Sequence, residues 1–187
     1  MQLSWDLFIL VFFAVVIAYS FIIGRNQTMK VILGTYVAVL CADGLGNLFA
    51  KYFVTSQTFL KFLKFFAIGD QAQATAFFKV LILLILVVLI AVRGMFNVEA
   101  DDDTNVTIKI IMLLLMGVFS AGLMMSAVLV FISGTSLIGG VAGSNNILLD
   151  VYNSSRLVRI MIDYANLWFF LPGIAFVVMS ILHKKSA

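Results

Sequence analysis

The sequence predicts an all-α fold: residues 1–187 form a single bundle of transmembrane helices. Of the 187 residues, 63% are hydrophobic and only 11% are charged, and the mean hydropathy is +1.14. A soluble domain carries about 25% charged residues, because its surface faces water. The apolar residues also form long blocks, and about 20 such residues are enough for a helix to cross a bilayer. Lipid is therefore the solvent that this composition fits.

Five apolar blocks qualify as spans, since a helix satisfies its backbone hydrogen bonds locally inside lipid. They are residues 7–24, 31–50, 76–92, 110–133 and 166–182. The first block has the clearest limits, because Asp6 precedes it and Arg25 follows it. No basic residue precedes this block and no small-residue cleavage motif follows it. We therefore expect it to be retained as a span and not removed as a signal peptide.

The second block contains an acid, and two structures remain open for it. Its nine strongly apolar residues favour insertion by about 3–5 kcal/mol, whereas Asp43 opposes insertion by about 2.5–3.5 kcal/mol. The block either spans fully, which gives five spans, or forms a re-entrant half-helix that breaks at Asp43 and Gly44, which gives four.

Two further stretches are amphipathic, residues 58–66 and 147–164. In the first, Lys61 and Lys64 share one helix face and large apolar side chains occupy the others. In the second, Arg156 and Arg159 form a polar stripe opposite apolar residues at helical spacing. We expect both helices to lie in the headgroup plane, with these four cations contacting lipid phosphates. A straight helix from here through the last span would measure about 55 Å, so the chain must bend between them.

The distribution of charge predicts an N-terminus outside the cell and a C-terminus inside. Asp6 lies before the first span, and Arg25 and Lys30 follow it, which fits the excess of basic residues on cytoplasmic loops. Five spans then place Lys184 inside as well. The lysines near residues 51–64 oppose this orientation, because they would lie outside.

Asp43 is the acid deepest in an apolar block, and it is the candidate intramembrane site together with Tyr36 and Asn47 on its helix face. An ionisable group at this depth must pair, line a water-filled cavity or remain protonated. Three interpretations stay open: a proton, cation or substrate path; a structural acid bonded to Asn47 or to neighbouring hydroxyls; or an acid at the membrane interface, where the helix ends.

The fourth block carries small residues at helix-packing spacing. Gly117 and Ala121 are four residues apart, as are Gly122 and Ser126. Such pairs let two helix backbones approach closely in lipid. They predict a packed helix interface, either within one chain or between copies.

Signals of other function classes are missing from the sequence. The sole histidine, His183, has no partner that suggests acid–base chemistry or zinc binding, and Cys41 is the only cysteine. No paired carboxylates, nucleophile motif or phosphate-binding loop is present. No basic cluster is interleaved with exposed aromatic residues as nucleic-acid binding would require. We therefore expect no catalytic residue, metal or cofactor, and no nucleic-acid partner.

The first fifty or so residues resemble the start of the colicin V production protein family. The similarity rests on Asp6 before the first span, on Gly24 and Arg25 at its close, and on the LGTYVAV segment that begins at Leu33. The resemblance implies a small bacterial inner-membrane protein with a role in envelope homeostasis or export and no catalysis. The apolar block after Asn166 is a span that this family lacks.

Together these features predict a non-enzymatic, multi-pass protein of a bacterial-type inner membrane. It would act through helix association, as a scaffold or subunit of an envelope or export complex. Its partners would be the lipid bilayer and either further copies of itself or other membrane proteins. The alternative is a small channel or transporter subunit in which Asp43 lies on the ion or substrate path.

Overall fold

The computed structural model describes residues 4–52, 71–93, 106–136, 140–141, 152–153 and 155–184. Its principal helices are α1 (Trp5–Tyr52), α2 (Gln71–Arg93), α3 (Val106–Ile132), α4 (Arg156–Asp163) and α5 (Ala165–Lys184). Two two-residue strands after α3, β1 (Thr135–Ser136) and β2 (Gly140–Val141), pair antiparallel. The predicted all-α class is confirmed. The predicted amphipathic helix at 58–66, with Lys61 and Lys64, lies outside the described residues.

Helix α1 consists of two arms joined at Gly24. That residue has φ 79° and ψ 174°, a non-helical conformation between two helical segments. As one straight rod, the 48 residues of α1 would measure about 72 Å, more than twice the thickness of a bilayer core. We call residues 5–23 the first arm and residues 25–52 the second arm.

The first arm runs antiparallel to α3. Its early residue Ile9 belongs to one buried cluster with Leu129, near the end of α3. Its late residue Ser20 lies against Gly117, in the first half of α3, where an added Cβ would be 3.3 Å from the Ser20 Cβ. As the first arm advances, its contacts therefore move back along α3.

The second arm runs parallel to α3 and thus opposite to the first arm. Ile32 shares a buried cluster with Met116, and the later residue Ala42 shares another with Phe131. No break occurs after Gly24, since the helix continues through Asp43 to Tyr52. The break at Asp43 and Gly44 that the re-entrant alternative predicted is therefore absent from this helix, while the number of spans stays a prediction.

Helices α2 and α5 complete the bundle. Helix α2 runs antiparallel to the second arm, and α5 runs antiparallel to α3. Ile90, near the end of α2, packs on Gly34 of the second arm, while the earlier Lys79 packs on Gly46. Residues of α5 pack along α3 in reverse order, beginning with Trp168, which lies against Gly122. The axes of α4 and α5 meet at 59°, so the bend predicted before the last span is present.

These directions define two ends of the bundle. The N-terminal end holds the starts of α1 and α5, the last turns of the second arm and of α3, and α4. The Gly24 end holds the Gly24 junction, the end of α2 and the start of α3. Among the described residues, the basic ones at the Gly24 end are Arg25, Lys30, Arg93, Lys109 and Lys184. All three acids of the described residues, Asp6, Asp43 and Asp163, belong to the other end.

In the part of the chain that the structure describes, three helices, α1, α2 and α3, are long and apolar enough to cross a membrane. The bent pair of α4 and α5 would be a fourth candidate if it crosses as one broken span. Both α2 and α3 begin about one turn before the predicted spans 76–92 and 110–133. The chain is thus a helical protein with three to four elements suited to a membrane.

Candidate functional site: a buried ion pair

Asp43 lies on the buried face of the second arm and has no exposed surface. The residues one position before it and three after it are Ala42 and Gly46, both buried. Because these side chains are small, helix α2 approaches the second arm closely at this level. The acid is therefore held inside the bundle and does not face lipid.

The partner of Asp43 is Lys79 of α2, whose side chain is almost fully buried. The Lys79 Nζ donates a hydrogen bond of 2.6 Å to Asp43 Oδ1. A hydrogen bond between two opposite charges is about twice as strong as a neutral one. The two residues are 36 positions apart, so this bond ties the second arm to α2.

The surroundings of the pair are apolar and close-packed. The Lys79 Nζ lies 5.6 Å from the ring centroid of Phe131, within the range of a cation–π interaction. The aliphatic stem of Lys79 rests on Gly46, and Leu83 and Ala42 belong to the adjoining core cluster. In such surroundings each charge depends on the other, because an unpaired buried charge costs several kcal/mol.

The pair lies well inside its helices. Asp43 precedes the end of α1 by nine residues and Lys79 follows the start of α2 by eight, about 12–14 Å of helix in both cases. The core of a bilayer is about 30 Å thick. Both charges are therefore placed within the apolar part of the bundle, nearer to its N-terminal end.

The sequence analysis does not identify Lys79, because the block 76–92 qualifies as a span by its overall apolar composition. One signal was available: Lys79 is the only charged residue in that block, as Asp43 is in its own. The other two predicted members of the site, Tyr36 and Asn47, lie on the same helix as Asp43. The Tyr36 hydroxyl donates to the carbonyl oxygen of Phe169 on α5 at 2.5 Å. Asn47 lies half-buried one turn after Asp43.

The predicted helix-packing residues all lie buried inside the chain. Gly117 faces the first arm at Ser20, while Ala121 and Ser126 have essentially no exposed surface. Gly122 lies under the Trp168 ring, and an added Cβ would be 2.7 Å from Trp168 Cδ2. Within the described part of the chain, the structure places this interface between α3 and its own neighbours.

A second polar contact links the start of the chain to α4. Ser155, the N-cap of α4, donates its hydroxyl to Asp6 Oδ1 at 2.6 Å, and the Leu157 N–H donates to the same oxygen at 2.9 Å. The Ser155 Oγ in turn accepts the Val158 N–H at 3.1 Å. Asp6 thus satisfies free N–H groups at a helix N-terminus, where a negative charge is favourable.

The position of α4 follows from this contact and from its apolar face. Val158 and Met161 are buried in a cluster with Ile9 of the first arm. Arg156 and Arg159 lie on the opposite, exposed side of the helix. Their predicted contact with lipid headgroups stays a prediction.

Asp6 precedes the first predicted span, which begins at residue 7. The pKa of its carboxylate is lowered from the ordinary 3.8. The hydrogen bond from Ser155 is the largest cause, and the backbone N–H of Leu157 adds to it. Both bonds favour the ionised form, because a carboxylate accepts them better than a protonated acid does.

Within the described ranges, no three histidine, cysteine, aspartate or glutamate side chains are grouped in a way that could hold a metal ion. Comparison of the chain with protein-family models, with curated proteins and with solved structures found no match. The resemblance to the colicin V production family therefore stays an expectation from the sequence.

Proposed function

We propose that this chain is a non-enzymatic, multi-pass protein of a bacterial-type inner membrane that acts through helix association. It serves as a scaffold or subunit of an envelope or export complex. One observation carries this proposal: the deepest acid, Asp43, is neutralised by Lys79 inside the same chain. The most costly polar group is thereby used to fix two helices together.

The surroundings of the ion pair support a structural role for it. A transport site needs water at its charged groups, yet Asp43 has no exposed surface and Lys79 has 3%. Phe131 and Gly46 enclose the lysine, and the adjoining cluster is aliphatic and aromatic. A bundle that is fixed in this way presents a constant outer surface to a partner, which suits a scaffold.

The proposed topology has five crossings, with the N-terminus outside and the C-terminus inside. The opposite directions of the two arms support counting α1 as two crossings. The basic residues at the Gly24 end support placing that end in the cytoplasm, since cytoplasmic loops carry an excess of Lys and Arg.

Cysteine accessibility in intact cells tests this topology. In a Cys41→Ser background, we expect Arg25→Cys, Asp102→Cys and Ser186→Cys to be protected from an impermeant thiol reagent. Asp70→Cys should react. Labelling of residues 25 and 70 from the same side would contradict two crossings by α1.

The alternative function is a small channel or transporter subunit. The observation that favours it is the ion pair itself, because ionisable residues inside membrane helices commonly mark ion and proton pathways. In that case the Asp43–Lys79 bond would have to open during transport, and each charge would then need water or a substrate ion.

Reconstitution and copurification distinguish the two functions. The scaffold predicts a membrane-protein partner that copurifies from native membranes in mild detergent at a constant ratio. It also predicts no proton or cation flux above that of empty vesicles. The transporter predicts flux in proteoliposomes that Asp43→Asn abolishes. Flux of that kind, with no copurifying partner, would overturn the scaffold proposal.

A further inference from the structure

A lateral groove opens near the Gly24 end of the bundle, away from the ion pair. It has a volume of about 290 Å³ and lies between the first arm, the last turns of α2 and the middle of α3. Its walls are mainly aliphatic side chains such as Val16, Val31 and Val88. Three hydroxyl residues, Tyr19, Ser20 and Ser120, also line it.

Ser120 is the unusual member of this lining. Its side chain is 1% exposed, and its Oγ has no hydrogen-bond partner among the described residues. Ser20, by contrast, donates its hydroxyl to the Val16 carbonyl at 2.9 Å. An unpaired buried hydroxyl costs about 1–3 kcal/mol, so Ser120 is suited to donate to a group that enters the groove.

Basic residues are close in sequence to three lining residues at the Gly24 end. Arg93 directly follows Val92, Arg25 is two positions after Ile23, and Lys30 directly precedes Val31. Val92, Ile23 and Val31 are lining residues. No acid of the described residues lies at this end. A ligand in this groove would contact aliphatic walls and a buried hydroxyl donor, and its end nearest the Gly24 junction would lie toward these basic residues.

We propose that this groove binds an anionic phospholipid. One acyl chain lies along the valine walls, an ester oxygen accepts the Ser120 hydroxyl, and the phosphate is held by the cations, with Arg93 as the principal one. Basic pockets between membrane helices bind lipid headgroups of this kind.

Native mass spectrometry of the detergent-purified protein tests the proposal. Phosphatidylglycerol and phosphatidylcholine with identical acyl chains are added in equal amounts. We expect phosphatidylglycerol to be retained at least tenfold better. Arg93→Gln should reduce the retention of phosphatidylglycerol to that of phosphatidylcholine, because the variant lacks the principal cation for the anionic headgroup. If the four acids of connector 94–105 neutralise the arginine, no preference will be seen and the proposal fails.

Two further variants separate the groove from general lipid contact. Val88→Trp fills the groove and should abolish retention of phosphatidylglycerol, whereas Val177→Trp, on an exposed part of α5, should leave it unchanged. Ser120→Ala should lower retention about two- to tenfold, the range for one hydrogen bond. Each variant must elute as wild type does on size exclusion. Equal retention of both lipids, or retention that Val88→Trp does not alter, overturns the proposal.

Discussion

Gly46 and Lys79 meet across the interface of α1 and α2 so closely that no side chain fits between them. A Cβ at position 46 would lie 2.7 Å from the Lys79 Cε and 3.0 Å from its Cδ. These atoms cannot move aside freely, because the Lys79 ammonium is bonded to Asp43. The glycine therefore makes room for the lysine that neutralises the acid one turn away.

Replacement of Gly46 by alanine should weaken the ion pair through crowding alone. We expect Gly46→Ala to destabilise the protein by about 1–3 kcal/mol, the usual cost of overpacking. The matched control is Gly44→Ala, since Gly44 lies on the same helix with no atom within 4 Å of the added Cβ. The control should be neutral or more stable by up to about 1 kcal/mol, because alanine favours a helix. Thermal unfolding in detergent measures both, and equal effects would contradict the contact.

Removing one charge of the pair should destabilise the protein more than removing both charges. Lys79→Met leaves the buried Asp43 carboxylate without its counter-ion, with an expected loss of about 3–5 kcal/mol. The double variant Asp43→Leu/Lys79→Met should recover most of this loss, since apolar residues in place of a buried pair are often neutral or stabilising. The measurement is a double-mutant cycle of unfolding free energies. Additive effects of the two substitutions would show that the charges do not interact.

Much of the fold follows from local sequence, and the site does not. Long apolar blocks identify α2 and α3, because a helix satisfies its own backbone hydrogen bonds in lipid. The spacing of Gly117 and Ala121 similarly identifies a close helix interface, although it does not tell which helix is the partner.

The partners of the two acids depend on tertiary structure. Asp43 and Lys79 are 36 positions apart, and Asp6 and Ser155 are 149 positions apart. Neither spacing matches a local pattern, so propensity and periodicity carry no information about them. Lys79 and Asp43 are each the only charged residue in a predicted span. A comparison of their depths along the two spans would have suggested Lys79 as the partner of Asp43. No comparable signal pointed to Ser155.

The contact between Asp6 and α4 should depend on pH. The folded-state pKa of Asp6 is below its ordinary 3.8, so this contact contributes stability above that value and loses it as pH falls through the lower, folded-state pKa. Asp6→Ala should lower the thermal midpoint at neutral pH, and the difference from wild type should shrink in acid. Asp6→Asn, which keeps the acceptor oxygen but not the charge, should fall between the two at neutral pH. A difference that is constant over the whole pH range would contradict an ionised Asp6 in this contact.

The hairpin of α1 depends on a backbone conformation that only glycine adopts readily. Gly24 has φ 79° and ψ 174°, and its added Cβ would meet no atom within 4 Å. Any loss of stability in Gly24→Ala therefore comes from the strained backbone conformation, and we expect it to be about 1–3 kcal/mol.

Spin labels at Val11 and Val37, one exposed residue on each arm, report the geometry of the two arms directly. In a straight helix these positions would be about 39 Å apart, whereas two arms that run in opposite directions in one bundle place them about 10–20 Å apart. Electron–electron double resonance measures this distance, and a value near 39 Å would show that α1 does not turn back at Gly24.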